Sequence, residues 1–200
     1  MTREKQERVR EIFKHYGPVI KTNKLRERKF CSRDIAKLID DGIIRKIKSG
    51  YYTLTSSEND MTDLELVSAV IPKGIICLLS AAFYYDLSTQ NPTSVSIAIP
   101  AKSMRPVLPE HPPVELIMTS DTLFDIGLVE ERASSFTMRI YNRERTVCDF
   151  FRNRNKLGDD LALEVLKNYM GGKRNLQLLM EYAGIFRVKS AIKPYVEALI

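Results

Sequence analysis

The sequence predicts an α+β chain: an N-terminal winged helix-turn-helix, then a mixed α/β domain with a helical C-terminal third. Three observations predict it. Cys31 to Leu54 (CSRDIAKLIDDGIIRKIKSGYYTL) reads as a helix, a tight turn and a two-stranded wing. The basic charge is concentrated at one end: residues 1–53 hold fifteen Lys/Arg and seven Asp/Glu, net +8, and the other 147 hold sixteen and eighteen, net −2. Beyond a polar stretch at Thr55–Asp60, short β-branched runs give way to amphipathic helical periods over the last third. The boundaries implied are 1–54 for a DNA-binding head and 62–200 for the body.

In chain order, residues 3–15 form a helix with Val9, Ile12, Phe13 and Tyr16 on one stripe, ended by Gly17-Pro18. His15 lies in its last turn, where a favourable interaction with the helix C-terminus is expected. Thr22 is expected to cap a short helix to about Arg28, and Ser32 to cap the next. In that third helix Ile35, Leu38 and Ile39 share one face, Arg33 and Lys37 point outward, and Gly42 stops it. In the wing, Ile43 and Ile47 are expected to face inward and Lys46 and Lys48 outward, with Ser49-Gly50 as the turn. The head's core is drawn from Val9, Ile12, Phe13, Val19, Leu25, Phe30, Ile35, Leu38, Ile39, Ile44, Ile47, Tyr52 and Leu54.

In the body, Thr62 and Glu65 have capping-box spacing and open a helix ending before Pro72. Ser80 is expected to cap a helix through Leu87. Strands are expected at Val95–Ile99, Val114–Met118 and Phe136–Tyr141, with a proline-rich loop (Pro106, Pro109, Pro112, Pro113) before the second. Helices follow at Arg143–Asn155, from Asp159 as cap to Gly171-Gly172, at Leu176–Tyr182 and at Val188–Ile200. Arg145 and Asp149 stand at i and i+4 and are placed to pair.

The chemistry expected is binding rather than catalysis. The sequence has no GxxxxGK[ST], GxGxxG, HExxH or GxSxG motif, and its two histidines have no local carboxylate or cysteine partner. Cys31, Cys77 and Cys148 form neither a CxxC pair nor a zinc pattern, which predicts reduced thiols in the cytoplasm and no metal or cofactor. The N-terminus is charged from its third residue, unlike a signal peptide, and no apolar run approaches the roughly 18 residues of a membrane span. A basic head predicts a polyanion partner. The candidate contacts to double-stranded DNA are Asn23, Lys24, Arg26 and Arg28 on the second helix, Ser32, Arg33 and Lys37 on the third, and Arg45, Lys46 and Lys48 on the wing. Arg33, at the N-terminal end of the expected recognition helix, is placed to read guanine.

The order of these features resembles the AbiEi antitoxin family of abortive-infection (type IV) toxin–antitoxin systems. The resemblance runs through Leu38, Gly42 and Ile47-Lys48-Ser49-Gly50-Tyr51-Tyr52, then Leu79-Ser80-Ala81-Ala82 and Leu87. It continues in Val95-Ser96-Ile97-Ala98-Ile99-Pro100, Arg143-Glu144-Arg145-Thr146-Val147-Cys148-Asp149 and Leu161-Ala162-Leu163-Glu164-Val165-Leu166. It implies an N-terminal domain that binds inverted repeats upstream of its own operon and represses it. It also implies a C-terminal domain that counters a nucleotidyltransferase-like toxin encoded alongside, with Arg145 and Asp149 as candidate antitoxicity residues. The competing expectation is a stand-alone winged-helix regulator whose body is a dimerisation or effector domain. A nucleic-acid enzyme comes third.

Overall fold

The computed structural model describes residues 3–55, 61–132 and 137–199. The expected linker residues 56–60, Phe136 and Ile200 lie outside them. The chain is mixed α+β with two sheets and a helical C-terminal stretch. Among the described residues, no helix is long and apolar enough to cross a membrane. The chain divides into two compact units. The first comprises Met1–Pro72, Met104–Val114 and Arg132–Met138; the second comprises Lys73–Ser103, Glu115–Glu131 and Arg139–Ile200.

The first unit begins with α1 (Arg3–Tyr16), whose Val9, Ile12 and Phe13 are buried as their spacing requires. Gly17, at φ +98°, ends it by donating its N–H to Phe13 O at 2.9 Å. Then come β1 (Val19–Lys21), α2 (Thr22–Glu27), α3 (Ser32–Asp40), β2 (Ile44–Lys48), β3 (Tyr51–Leu54) and α4 (Asp63–Val70). The three strands form an antiparallel sheet in the order β1-β3-β2. A core of Val9, Ile12, Phe13, Ile20, Leu25, Phe30, Ile35, Leu38 and Ile44 sits between helices and sheet. Ile39, expected inside, is 36 % exposed, and Val19, Tyr52 and Leu54 are only half-buried.

Two caps differ from expectation. Lys21 occupies the N-cap position of α2 and Cys31 that of α3, so Thr22 and Ser32 are first helical residues rather than caps. At α3, Asp34 supplies the reach-back half of the motif: Cys31 N–H donates to Asp34 Oδ2 at 3.2 Å. The other end follows the glycine rule. Gly42 (φ +67°) donates to Ile39 O and Ile43 to Leu38 O, both at 2.9 Å, which satisfies two carbonyls left free by the last turn. At α4 the expected capping box is present: Thr62 Oγ1 accepts from Glu65 N–H, and Glu65 Oε2 accepts from Thr62 N–H at 2.8 Å.

Most residues of the second sheet belong to the second unit; it has five strands in the order β6-β5-β4-β8-β7, from β4 (Ile75–Ile76), β5 (Val95–Pro100), β6 (Val114–Thr119), β7 (Leu128–Arg132) and β8 (Thr137–Tyr141). The two-residue β4 is the central strand, antiparallel to β5 and parallel to β8. The unit's helices are α5 (Leu78–Tyr84), α6 (Asp121–Phe124), α7 (Arg143–Arg152), α8 (Arg154–Leu157), α9 (Asp159–Gly171), α10 (Leu176–Ile185) and α11 (Lys189–Ala198). Ser80 does not cap α5, which starts earlier. Its buried hydroxyl instead accepts Ser96 N–H at 2.9 Å and ties helix to sheet. Asp159 opens α9 as its first residue, with Gly158 as cap. Glu144 through Phe151 are all buried, so α7 is the central helix, and α9, α10 and α11 supply Val165, Leu166, Leu179 and Ile192 to the same core. A helix buried on all sides carries apolar residues around most of its circumference, and its polar residues must find partners.

Candidate functional site

The first unit presents the cations that the sequence singles out. Arg26 is exposed on α2, Arg33 and Lys37 on α3, and Arg45 and Lys46 on β2. None of these five side chains makes a hydrogen bond or ion pair to any described residue. Exposed side chains without internal partners keep their charge available to an external anion. Ser32 is exposed beside Arg33. The exposed Asn23 Oδ1 accepts the Lys24 N–H at 2.9 Å.

Lys24 and Arg28 differ from that group. Lys24 Nζ holds Glu27 Oε2 at 2.9 Å, and this hydrogen bond with its charge raises the amine above its usual range. Arg28 donates from Nη2 to Tyr16 Oη at 3.1 Å, and both cations lie 5.4 Å from the Tyr16 ring centroid. These contacts hold the two side chains against α1 and orient them.

Lys48 departs from its expected place outside the wing. The β2–β3 register shifts between Lys46, opposite Tyr52, and Lys48, opposite Tyr51. A bulge inserts one residue and breaks the alternation of faces, so Ile47 and Lys48 are buried consecutively. Lys48 is 7 % exposed, and its ammonium donates to Val70 O at 2.7 Å and Val107 O at 3.0 Å. Burial lowers its pKa, helped by the charge of Lys21. Lys48 is thus an internal clasp on the β2–β3 hairpin. Ile43, expected inward, is half-buried against the core, and Ile44, also expected in the core, is buried in it.

Lys21 joins the basic surface without having been among the expected contacts: it is exposed on β1, pairs with Tyr51 across the sheet and lies 5.4 Å from that ring. Its one mark in the sequence is its place immediately before the short helix of a basic segment. The α1–α3 tie, in which Lys5 Nζ meets Asp34 Oδ1 at 2.6 Å, joins residues 29 apart and has no local signal. That contact, with the Cys31 hydrogen bonds, holds the Asp34 carboxyl at about 2.

In the second unit, Arg145 and Asp149 pair as their spacing predicts, and they do so in the interior. Arg145 Nε donates to Asp149 Oδ2 at 2.9 Å, and Arg145 Nη1 donates to Leu123 O at 2.8 Å and Ile126 O at 2.7 Å. The guanidinium lies 4.1 Å from the Tyr141 centroid and 4.0 Å from that of Phe186. Burial pushes the Asp149 carboxyl up, against the charge and hydrogen bond of Arg145. Gly127 allows this packing. At φ +78° it takes a conformation that disfavours side chains, and a Cβ there would stand 2.6 Å from Arg145 Cβ. Among the described residues, no group of three or more His, Cys, Asp or Glu is placed to hold a metal ion. No protein-family model matches the chain, and no curated protein is significantly similar to it.

Proposed function

We propose that this chain is a DNA-binding repressor and antitoxin of the AbiEi kind, with α1–α3 and β1–β3 acting as a winged helix-turn-helix. In this reading α3 enters the major groove and the β2–β3 wing lies along the backbone. The observation that carries it is the set of five exposed cations without internal partners, Arg26, Arg33, Lys37, Arg45 and Lys46, on a helix, a second helix and a hairpin of one small basic unit. Arg33 reads a base, and the others neutralise phosphates. Lys24 and Arg28, oriented by Tyr16, add backbone contacts, while Lys48 serves by holding the wing's shape. The second unit carries the activity against a nucleotidyltransferase-like toxin. Arg145 and Asp149 support that activity from the interior by holding α7 to its surroundings.

The test is a fluorescence-anisotropy titration of the purified chain on the inverted repeats upstream of its operon. Affinity falling steeply with salt, and lost in the Arg33→Ala, Arg45→Ala, Lys46→Ala triple variant, is the expected result. Unchanged affinity in that variant overturns the proposed surface. Co-expression with the neighbouring gene addresses the other half: toxicity rescued by this chain is expected. Operator binding without toxicity, or without rescue, instead supports a stand-alone regulator.

A further inference from the structure

The second unit holds a partly open cavity of about 120 Å³ whose wall includes Thr119, Ser120, Tyr141, Arg145, Asp149 and Arg152. The buried ion pair in that wall is satisfied on one side only. Arg145 uses Nε and Nη1, and Asp149 uses Oδ2; Arg145 Nη2 and Asp149 Oδ1 have no hydrogen-bond partner among the described residues. Among the described residues, Arg143 Nε is the one buried side-chain nitrogen or oxygen both sealed and unpartnered. Nη2 and Oδ1 are therefore not sealed, and both residues line the cavity. Arg145 is 1 % and Asp149 5 % exposed, so these are built-in polar groups rather than surface charges. Arg152, on the same wall, is exposed and forms no ion pair with a described residue.

The donor set selects the ligand. A simple anion satisfies the two guanidinium groups but meets the free oxygen of Asp149. A simple cation meets the reverse conflict. A buried polar group left without a partner costs about 1–3 kcal/mol, so the best occupant satisfies both. A single water needs about 10–15 Å³ of such space, so the cavity has room for several waters or for a small organic ligand. We propose that this cavity binds a small 2-amino or 2-hydroxy carboxylic acid. Its carboxylate accepts from Arg145 Nη2 and Arg152, and its amino or hydroxyl group donates to Asp149 Oδ1. The proposal does not depend on DNA binding.

The experiment is an NMR titration of the full ¹⁵N-labelled chain with glycine and glycolate. Acetate, methylammonium and inorganic phosphate serve as probes bearing one half of the recognition or none of its donor side. Saturable shifts centred on the amides of Thr119, Ser120 and Asp149 are expected with glycine or glycolate. Acetate and methylammonium should bind at least tenfold more weakly, since each forgoes a charge-assisted contact. Arg152→Ala, at an exposed position, should weaken binding roughly tenfold or more while leaving the urea midpoint of unfolding in place. Three results overturn the proposal: no saturable shift with either acid up to roughly 50 mM, far above the millimolar range such a contact set implies; phosphate or acetate binding as tightly as both acids; or unchanged affinity in Arg152→Ala.

Discussion

Arg145 and Asp149, one turn apart on α7, meet at 2.9 Å with side chains 2 % and 8 % exposed. On a surface helix a base placed before an acid is the weaker order of an i, i+4 pair. Here the pair is buried, so its value lies in what each member does to the other. Removing one partner strands a charge in the interior, which costs about 3–5 kcal/mol. Arg145→Ala and Asp149→Ala should therefore each lower the unfolding free energy obtained from urea titration by that amount. Arg145→Lys should not rescue stability, because a lysine lacks the planar fork that serves Asp149 and two carbonyls at once. A lysine variant with wild-type stability would show the fork to be dispensable.

Gly127→Ala tests the same site from its neighbour. The new Cβ meets Arg145 Cβ at 2.6 Å and Cγ at 3.0 Å, at a positive φ. The left-handed conformation costs roughly 1–2 kcal/mol for a non-glycine residue, and overpacking adds about 1–3. A loss of about 2 kcal/mol or more is expected by urea denaturation. Gly42→Ala is the control: at φ +67° its added Cβ meets nothing within 4 Å, so it carries the conformational part alone and should cost less.

Asp34 gives the first unit a pH dependence of known sign. Its carboxyl is lowered from 3.8 to about 2, chiefly by the Lys5 hydrogen bond and then by those from Cys31. The unfolded chain takes up this proton more readily, so the stabilisation is complete above 3.8 and is lost as pH falls through about 2. Thermal unfolding of the chain and of Asp34→Asn across pH 5 to 2, read on first-unit signals, should converge at the acidic end. Parallel curves would show that the pairing adds nothing.

Cys31→Ser should stabilise α3. Serine is among the preferred N-cap residues, and the Asp34 side chain already completes the reciprocal half of the motif. A gain of about 0.5–1 kcal/mol in a urea titration is expected.

Lys46 and Lys48 are two residues apart and should behave as opposites. Lys46→Ala should reduce the salt dependence of operator binding by about one counterion, with little effect on stability. Lys48→Met should leave that slope unchanged while destabilising the fold by about 1–3 kcal/mol, because two carbonyls lose their donor. Paired salt titrations and urea curves separate the two roles.

The elements with strong local signals were readable in the sequence. The Thr62/Glu65 cap, the Gly17 and Gly42 stops and the apolar stripe of α1 depend on neighbouring residues and survive folding unchanged. The cap positions at Cys31 and Gly158 were missed by one residue because serine and aspartate are the better cap formers, and the backbone chose otherwise. β4 has two residues, too few to show a period, although it is the centre of its sheet. Lys48 escaped because a bulge inverts facing without leaving a glycine or proline as a marker. The pairing of Arg145 with Asp149 was legible from spacing. Its burial, and the cavity beside it, were not, since they are assembled from strands and helices distant in sequence.

The ring of Phe186 at 4.0 Å from the Arg145 guanidinium also has a bearing on where this chain can be cut. Phe186 follows directly on α10, near the far end of the sequence, and it covers the ion made by α7. A C-terminal deletion reaching it therefore uncovers the charge at the centre of the second unit, well before any sheet residue is removed. The shortest fragment that keeps this centre intact must extend past residue 186, whichever activity is being mapped.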